Sequence, residues 1–460
     1  MRPLEIVIPV FLALYLGWPR RRPLAIRLLP ALAFALLLVH FVVEGYRWQM
    51  VPLYVLAPAL AVVAAASARG AWDLRAAAAL PILALLGLVT ALPALLPVPA
   101  IPDADGPRRV GTRRFELVDG SRRELYSGRD EPRRFTIQVW YPAAPGTTAG
   151  RLPWLPHATT VAPALAALLR LPSFFLDHLA LVKIPATEDA DIDRTTGPLP
   201  LLMFSHGWEG FGAQNTGQAL QLASRGYVVA ALQHTYGAVA TVFRDGSVAP
   251  YNPAILPEDD PEAAEWETAG RTAAEQWVGD LVFALDFMAA RNAEATGPFS
   301  GALDLGRVGA FGHSFGAGAT IQFTAADPRC RAVLAEDPFL RGVSPAVLDG
   351  GFAQPSLFLF SEQYTDDTTS RNNELFTRFR PHARGSRGTF FIRGTGHYDF
   401  SDLPRLSPLA HLIGLKGPIR AARMTAILDD YLAGFFDATL RGIRSDLIDG
   451  ARTYPEVMPR

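Results

Sequence analysis

The chain has 460 residues, a formal net charge of −1 and a single cysteine, Cys330. A near-neutral balance argues against a nucleic-acid partner, and one cysteine excludes an intrachain disulfide and any thiolate metal cluster. The length exceeds one ordinary domain. Leu, Ala, Val and Pro dominate to about residue 100, and the mixed composition of a soluble domain follows.

The first hundred residues carry four apolar stretches, Leu4–Trp18, Leu24–Val43, Val51–Ala66 and Ala76–Val98. A bilayer core takes about 20 helical residues, so the first and third are short. One cleaved leader would explain the first stretch but not three more. Trp18, Tyr46, Trp48 and Trp72 fall near stretch ends, where amphipathic rings prefer the membrane interface. Residues 1–100 are therefore read as a multi-pass membrane region of about four helices, with buried helices of a soluble protein as the alternative. His40 is expected to be interfacial or packed rather than a ligand.

Arg20, Arg21, Arg22 and nearby Arg27 follow the first stretch, and Arg69 and Arg75 follow the third. The opposite side holds Arg2 and Arg47. Positive loops stay cytoplasmic, so both termini and the domain of residues 101–460 are expected on the extracytoplasmic side. Arg108, Arg109, Arg113 and Arg114 argue the other way, although long domains translocate largely regardless of charge.

The linker Leu96–Gly106 is stiffened by prolines. Short strand patterns follow at Arg114–Val118, Arg134–Trp140, Pro200–Phe204, Tyr227–Leu232, Arg307–Phe311, Arg331–Glu336, Ser356–Phe360 and Thr389–Ile392. Between and after them lie helical patterns at Gly217–Ser224, Arg271–Arg291, Phe315–Ala326 and Ile419–Leu440. Strands alternating with helices predict an α/β fold, a mostly parallel sheet covered on both faces. The apolar stretch Val161–Ile184 is either a helix pair packed on the core or a lid-like acyl-binding surface. The acidic run Glu258–Glu267 reads as a solvated insertion, since it lacks the glycine spacing of a calcium loop.

Gly312–Gly316 (GHSFG) stands between the strand Arg307–Phe311 and the helix Phe315–Ala326. That context makes it a candidate nucleophile elbow, whose tight turn has no room for side chains two residues either side of Ser314. The alternative is a Gly-Ser turn without chemistry. A serine nucleophile needs a base, and the base needs an acid to orient it, in the chain order Ser, Asp or Glu, His. His397 sits on a glycine-rich loop (RGTGHYDF) directly after a strand, where a general base belongs. His382 and His411 are better read as surface and packing residues. Asp337 ends the strand Arg331–Glu336, whereas Glu336 is expected to face the opposite side. The oxyanion of the tetrahedral intermediate needs two donors. One is the amide of Phe315, and the other is expected from Trp208 in Phe204–Gly210 (FSHGWEG). His206 and His234 are both expected to lie at the substrate site, His206 supporting this loop rather than catalysing and His234 lining the site from a strand end.

FSHGWEG, LASRGYVVAALQHTYG, RVGAFGHSFG, AEDPF and GTGHYDFSDLP, with GPRRVGTRRFELVD and FTIQVWYPA before them, resemble the platelet-activating factor acetylhydrolase family. The resemblance spans about Gly106 to Gly442. It implies an α/β-hydrolase fold and ester hydrolysis without metal or cofactor, with short or oxidised acyl chains on phospholipids as the substrates of the best-known members. Carried over, it makes Ser314 the nucleophile, Asp337 the acid, His397 the base, and Trp208 and Phe315 the oxyanion donors. Ala317 stands where a glycine often follows the motif, and Trp208 and Glu209 replace smaller or apolar residues, which is expected to alter the acyl pocket. The expectation is a membrane-anchored serine ester hydrolase acting on an ester or phospholipid. An acyltransferase using the same acyl-enzyme is one alternative. A membrane receptor or scaffold with a retired hydrolase domain is another, and the complete Ser, Asp and His set argues against it.

Overall fold

Apolar runs without alternation form strands buried on both faces, and that is what the middle of this sheet contains. The computed structural model describes residues 1–18, 22–68, 76–256, 264–367 and 370–460. Among them, one ten-stranded sheet is formed. Its strands are β1 (Val110–Arg123), β2 (Pro132–Pro142), β3 (Ala186–Glu188), β4 (Leu199–Ser205), β5 (Val228–Gln233), β6 (Leu303–His313), β7 (Cys330–Glu336), β8 (Phe352–Ser361), β9 (Ala383–Ile392) and β10 (Val457–Pro459). In space they run β10-β9-β8-β7-β6-β4-β5-β2-β1-β3. From β5 to β9 all pairings are parallel. The strand β2 is antiparallel to both β1 and β5, and β10 is antiparallel to β9.

Period-two alternation divides each central strand between two cores. Leu202 and Phe204 of β4 pack on the side of α6 (Thr216–Ser224) and of the C-terminal helix Ala421–Phe436. Leu201 and Met203 pack on the side of α7 (Ala264–Ala293) and α8 (Phe315–Ala326). Every strand and helix pattern taken from the sequence recurs here. The long helix begins at Ala264 rather than at Arg271, so Glu267 of the acidic run sits on it and pairs with Arg371 at 2.8 Å. Residues 258–263 of that run lie outside the described residues. The strands β3 and β10 have three residues each, too few to carry a periodic signal.

Four helices precede the sheet, α1 (Pro3–Gly17), α2 (Leu24–Val43), α3 (Val51–Ala68) and α4 (Ala76–Leu95). Spans Leu24–Val43, Trp48–Ala68 and Ala78–Leu95 are long and apolar enough to cross a membrane. The first helix is about 22 Å long, shorter than a bilayer core of about 30 Å. Arg20, Arg21, Arg69, Arg75 and Trp72 lie outside the described residues. At one end of the bundle Arg47 pairs with Glu5 at 2.9 Å and reaches the Leu96 carbonyl, so the start of α1, the α2–α3 corner and the end of α4 converge. His40 is buried between Glu44 and Tyr54, a packed residue.

The apolar stretch Val161–Ile184 contains one α-helix, α5 (Ala158–Leu168), and a 3-10 turn at Asp177–Leu181, not a pair of α-helices. Val161, Ala162, Leu165 and Ala166 enter the core. Beyond the helix, Trp48 lies against Phe174 and Phe175, both at 5.3 Å between ring centroids, and donates its indole N–H to the Phe175 carbonyl at 3.1 Å. The Gln49 amide meets His178 Nδ1 at 2.8 Å. This stretch is thus the seat of the helical bundle on the larger domain.

Candidate active site

The strand β6 ends at His313, and Ser314 turns the chain into α8 with φ 57° and ψ −124°. Few L residues adopt such a backbone unless their surroundings impose it. Here the Ser314 amide donates to the Glu336 carbonyl at 2.9 Å, and the Phe339 amide donates to the Ser314 carbonyl at 3.0 Å. Glycine is required on both sides. A Cβ at Gly316 would lie 2.2 Å from the His206 carbonyl oxygen, and one at Gly312 would lie 2.7 Å from that of Gly316.

Strand ends bring the other groups to this turn. His397 follows β9 on a short 3-10 turn, His397–Phe400, and its Nε2 lies 2.9 Å from Ser314 Oγ. Its Nδ1 lies 2.7 Å from Asp337 Oδ2. Asp337 follows β7 with φ 45°, and its amide donates to the Leu359 carbonyl of β8. The Asp337 carboxylate also accepts from the Ser361 amide and hydroxyl, both at 2.8 Å, so the buried charge has three donors. Glu336 faces the other way, with its oxygens on Gln218 and Asn215. Burial pushes its carboxyl well above the usual range.

The imidazole of His397 is sandwiched. Tyr364 stacks on it at 4.7 Å and 12°, and His313 lies 4.5 Å away. His313 Nε2 sits 2.9 Å from the His397 carbonyl, and its Nδ1 sits 3.2 Å from the Gln214 amide nitrogen. A carbonyl only accepts, so Nε2 carries the proton and Nδ1 accepts from Gln214. Burial, and then the neighbouring His397, hold His313 well below the usual imidazole range, so it is neutral. Tyr364, Ser361 and Gln214 carry no local sequence pattern and were not anticipated. His313 was visible inside the elbow motif without any rule to single it out.

The loop Phe204–Gly210 lies against Ser314, since a Cβ at Gly207 would be 3.3 Å from Ser314 Cβ. Phe315 is the first residue of α8, so its amide has no intrahelical acceptor. The Trp208 ring packs between Trp277 and Phe315 and donates to the Tyr251 hydroxyl at 3.1 Å. Glu209 has φ 58° and is exposed. His206 and His234 are fully enclosed with all four ring nitrogens engaged. Substrate lining is therefore replaced by support from beneath for both. His382 is half-buried, and His411 is exposed on a 3-10 turn rather than packed in a helix.

No set of three His, Cys, Asp or Glu side chains among the described residues is arranged to hold a metal. A cavity of about 620 Å³ opens behind the loop, lined by Gln138, Leu155, His157, Phe211, Gln233 and Phe243, and no atom of Ser314, His397 or Asp337 reaches it.

A serine at a strand-to-helix turn, at the carboxyl edge of a mostly parallel sheet flanked by helices, is the arrangement of α/β-hydrolases. Comparison with known proteins agrees. The sequence model of the family platelet-activating factor acetylhydrolase, isoform II, matches residues 97–268 and 291–440. The platelet-activating factor acetylhydrolase of Cavia porcellus is 26% identical over 345 residues, 69% of this chain and 73% of its own length. A probable 1-alkyl-2-acetylglycerophosphocholine esterase of Arthroderma benhamiae is 27% identical over 395 residues, 78% of this chain and 93% of its own. Among solved structures, a ferulic acid esterase from Streptomyces cinnamoneus superposes with a TM-score of 0.62 at 26% identity, covering 79% of this chain and 99% of its own. The chain belongs to the platelet-activating factor acetylhydrolase isoform II family and is an ester hydrolase.

Proposed function

We propose that the protein is a membrane-anchored serine hydrolase that cleaves acyl esters of lipids through a Ser314–His397–Asp337 triad. The observation that carries this reading is the unbroken hydrogen-bonded chain from Ser314 Oγ through His397 to Asp337, at 2.9 and 2.7 Å. His397 Nε2 takes the hydroxyl proton as Ser314 Oγ bonds to the ester carbonyl carbon. The Trp208 and Phe315 amides receive the oxyanion. The intermediate then collapses, the alcohol leaves with the proton from His397, and an acyl-enzyme remains. Water repeats the cycle in reverse order of roles, which frees the carboxylic acid and Ser314. Asp337 holds the imidazole tautomer and steadies the imidazolium.

A lipid ester suits the surroundings of this site. Residues 1–100 form the anchor and 101–460 the catalytic unit in this reading. Ser407 Oγ donates to the Leu95 carbonyl at the end of α4 at 2.6 Å, and nearby Leu412 and Ile413 stand 68% and 62% exposed. Exposed apolar residues close in sequence to a contact with the end of an apolar helix fit a domain seated at a lipid surface, from which an acyl substrate would be delivered. Two relatives are named for acetyl esters of platelet-activating factor or of 1-alkyl-glycerophosphocholine, which favours a short acyl chain on a phospholipid.

Ser314→Ala is expected to abolish hydrolysis of p-nitrophenyl and phospholipid esters together with labelling by a fluorophosphonate probe. Labelling that persists at the wild-type rate in this variant would overturn the assignment.

A further inference from the structure

The buried histidines beneath the loop have a geometry that bears on the oxyanion site. His206 Nε2 lies 3.1 Å from the His234 backbone nitrogen, and His206 Nδ1 lies 2.7 Å from the Gly207 carbonyl oxygen. A backbone N–H can only donate, so Nε2 is unprotonated and the single proton sits on Nδ1. A carbonyl can only accept, so Nδ1–H donates to Gly207. One tautomer alone satisfies both contacts. Burial, and then the nearby His234, hold the His206 imidazole far down, to about 3, so it is neutral over the working range.

The Gly207 carbonyl and the Trp208 amide belong to the same peptide unit. In a trans peptide these two groups point in opposite directions, and the chain has no cis peptide bonds among its described residues. Whatever holds the Gly207 oxygen inward therefore holds the Trp208 N–H outward. The Gly210 amide also donates to that oxygen at 3.0 Å, and Glu209 and Val239 tie the loop to its neighbour through the Gly237 and Gly210 carbonyls. Trp208 N–H itself has no acceptor in the described hydrogen-bond network.

We propose that His206 is a positioning residue that locks the Gly207–Trp208 peptide, so that the oxyanion donor is preformed before substrate arrives. This rests on the triad reading above. The lock is anchored more deeply by His234. Its Nδ1 faces Asp280 at 3.0 Å, its Nε2 faces Ser205 Oγ at 2.9 Å, and its ring stacks on Trp277 at 4.0 Å. Asp280 is a buried carboxylate. Burial opposes its charge, but Arg133 at 2.7 Å, with Arg122 at 2.8 Å, keeps it ionised. An ionised Asp280 accepts from Nδ1–H, which leaves Nε2 to accept from Ser205 and fixes where the His234 backbone N–H stands. A second Ser, His and Asp set thus exists in the fold, wholly enclosed, and it sets the shape of the hole rather than attacking substrate.

The test uses the full chain in detergent or nanodiscs with a p-nitrophenyl ester. His206→Leu removes both ring contacts and is expected to lower kcat about 10²-fold, the lower end of losing one oxyanion donor, with KM changed less than threefold. His206→Asn keeps a donor at the δ position and is expected to recover at least tenfold of that loss. Affinity for a trifluoromethyl ketone, which mimics the tetrahedral oxyanion, should fall in proportion to kcat/KM. Should His206→Leu fail to fold, His206→Gln carries the same expectation, because its amide lies one bond too far out to serve Gly207. Equal kcat in the Leu and Asn variants, or a kcat loss without a matching loss of ketone affinity, overturns the lock. Wild-type kcat in His206→Leu with an inactive Ser314→Ala overturns the lock alone, whereas an active Ser314→Ala removes the reading beneath it.

Discussion

At the scale of single residues, the site is a set of groups each held in place by what surrounds it. Asp337 has three donors around it, and His313 is enclosed with a carbonyl on one nitrogen and an amide on the other. The second of these has a consequence for acid stability. An unfolded histidine takes up a proton below about pH 6.5, whereas buried His313 stays neutral well below that. The unfolded chain then binds more protons than the folded one, so the stability His313 confers is complete above pH 6.5 and lost progressively on acidification. Asp402, raised to about 6 by burial, and Glu336, pushed well above its usual range by burial, act with the opposite sign, so the effect is read as a difference between variants. His313→Gln, which keeps a donor for the His397 carbonyl, is expected to destabilise at pH 7.5. That deficit should shrink by about 1.4 kcal/mol at pH 5.5, measured by thermal unfolding in detergent. A deficit independent of pH would show that His313 does not stay neutral on folding.

At the scale of elements, the candidate site was legible wherever one of its residues sits at the end of a strand. Ser314, Asp337 and His397 each follow a run of apolar residues that announces its strand, and the elbow glycines mark a turn with no room for a Cβ. Ser361 ends β8 and Tyr364 follows it, much as Asp337 follows β7, but a serine or tyrosine at a strand end has too many ordinary uses to stand out. Asp280 comes from the middle of α7, and nothing in a helical pattern tells which polar residue turns inward to a partner 46 positions away, such as His234. The stretch Val161–Ile184 was ambiguous for a related reason. Its apolar residues serve two partners, the sheet through α5 and the bundle through Phe174–His178. Trp48 holds the second contact by ring packing and one hydrogen bond. Trp48→Ala is expected to raise amide hydrogen exchange across residues 172–182 at least tenfold while β4 to β8 keep their protection. Unchanged exchange in that segment would mean the tryptophan is incidental to the seat.

At the scale of the whole molecule, the bundle and the sheet meet at one end, where α1 begins, α4 ends and the large domain departs. The large domain therefore lies on the same side as the first residue of the chain. Arg20, Arg21, Arg22 and Arg27 follow the first apolar stretch and Arg69 and Arg75 the third, and from the positive-inside rule we propose that the large domain faces away from the cytoplasm. A reporter fused after Arg460 is expected to be active only if its maturation occurs outside the cytoplasm. An alkaline phosphatase fusion should therefore be bright and a green fluorescent protein fusion exported through the same route dark, and the reverse pattern would invert the topology.

The two outermost strands, β3 and β10, have three residues each, and β3 pairs with only Val110–Thr112 of β1, so among the described residues Arg113–Arg123 has no strand on its outer side. The strand β10 covers only Phe390–Ile392, the apolar end of β9. The uncovered remainder of β9 reads Ala-Arg-Gly-Ser-Arg-Gly-Thr, and cations and glycines on an edge discourage a foreign strand from joining it. For a protein that would live crowded among its own copies in a two-dimensional sheet of lipid, this matters more than it would in dilute solution. Neighbours there meet side by side and often, and the charges set along both open edges, Arg113, Arg114 and Glu116 on β1 and Arg384 and Arg387 on β9, discourage repeated collision from becoming aggregation.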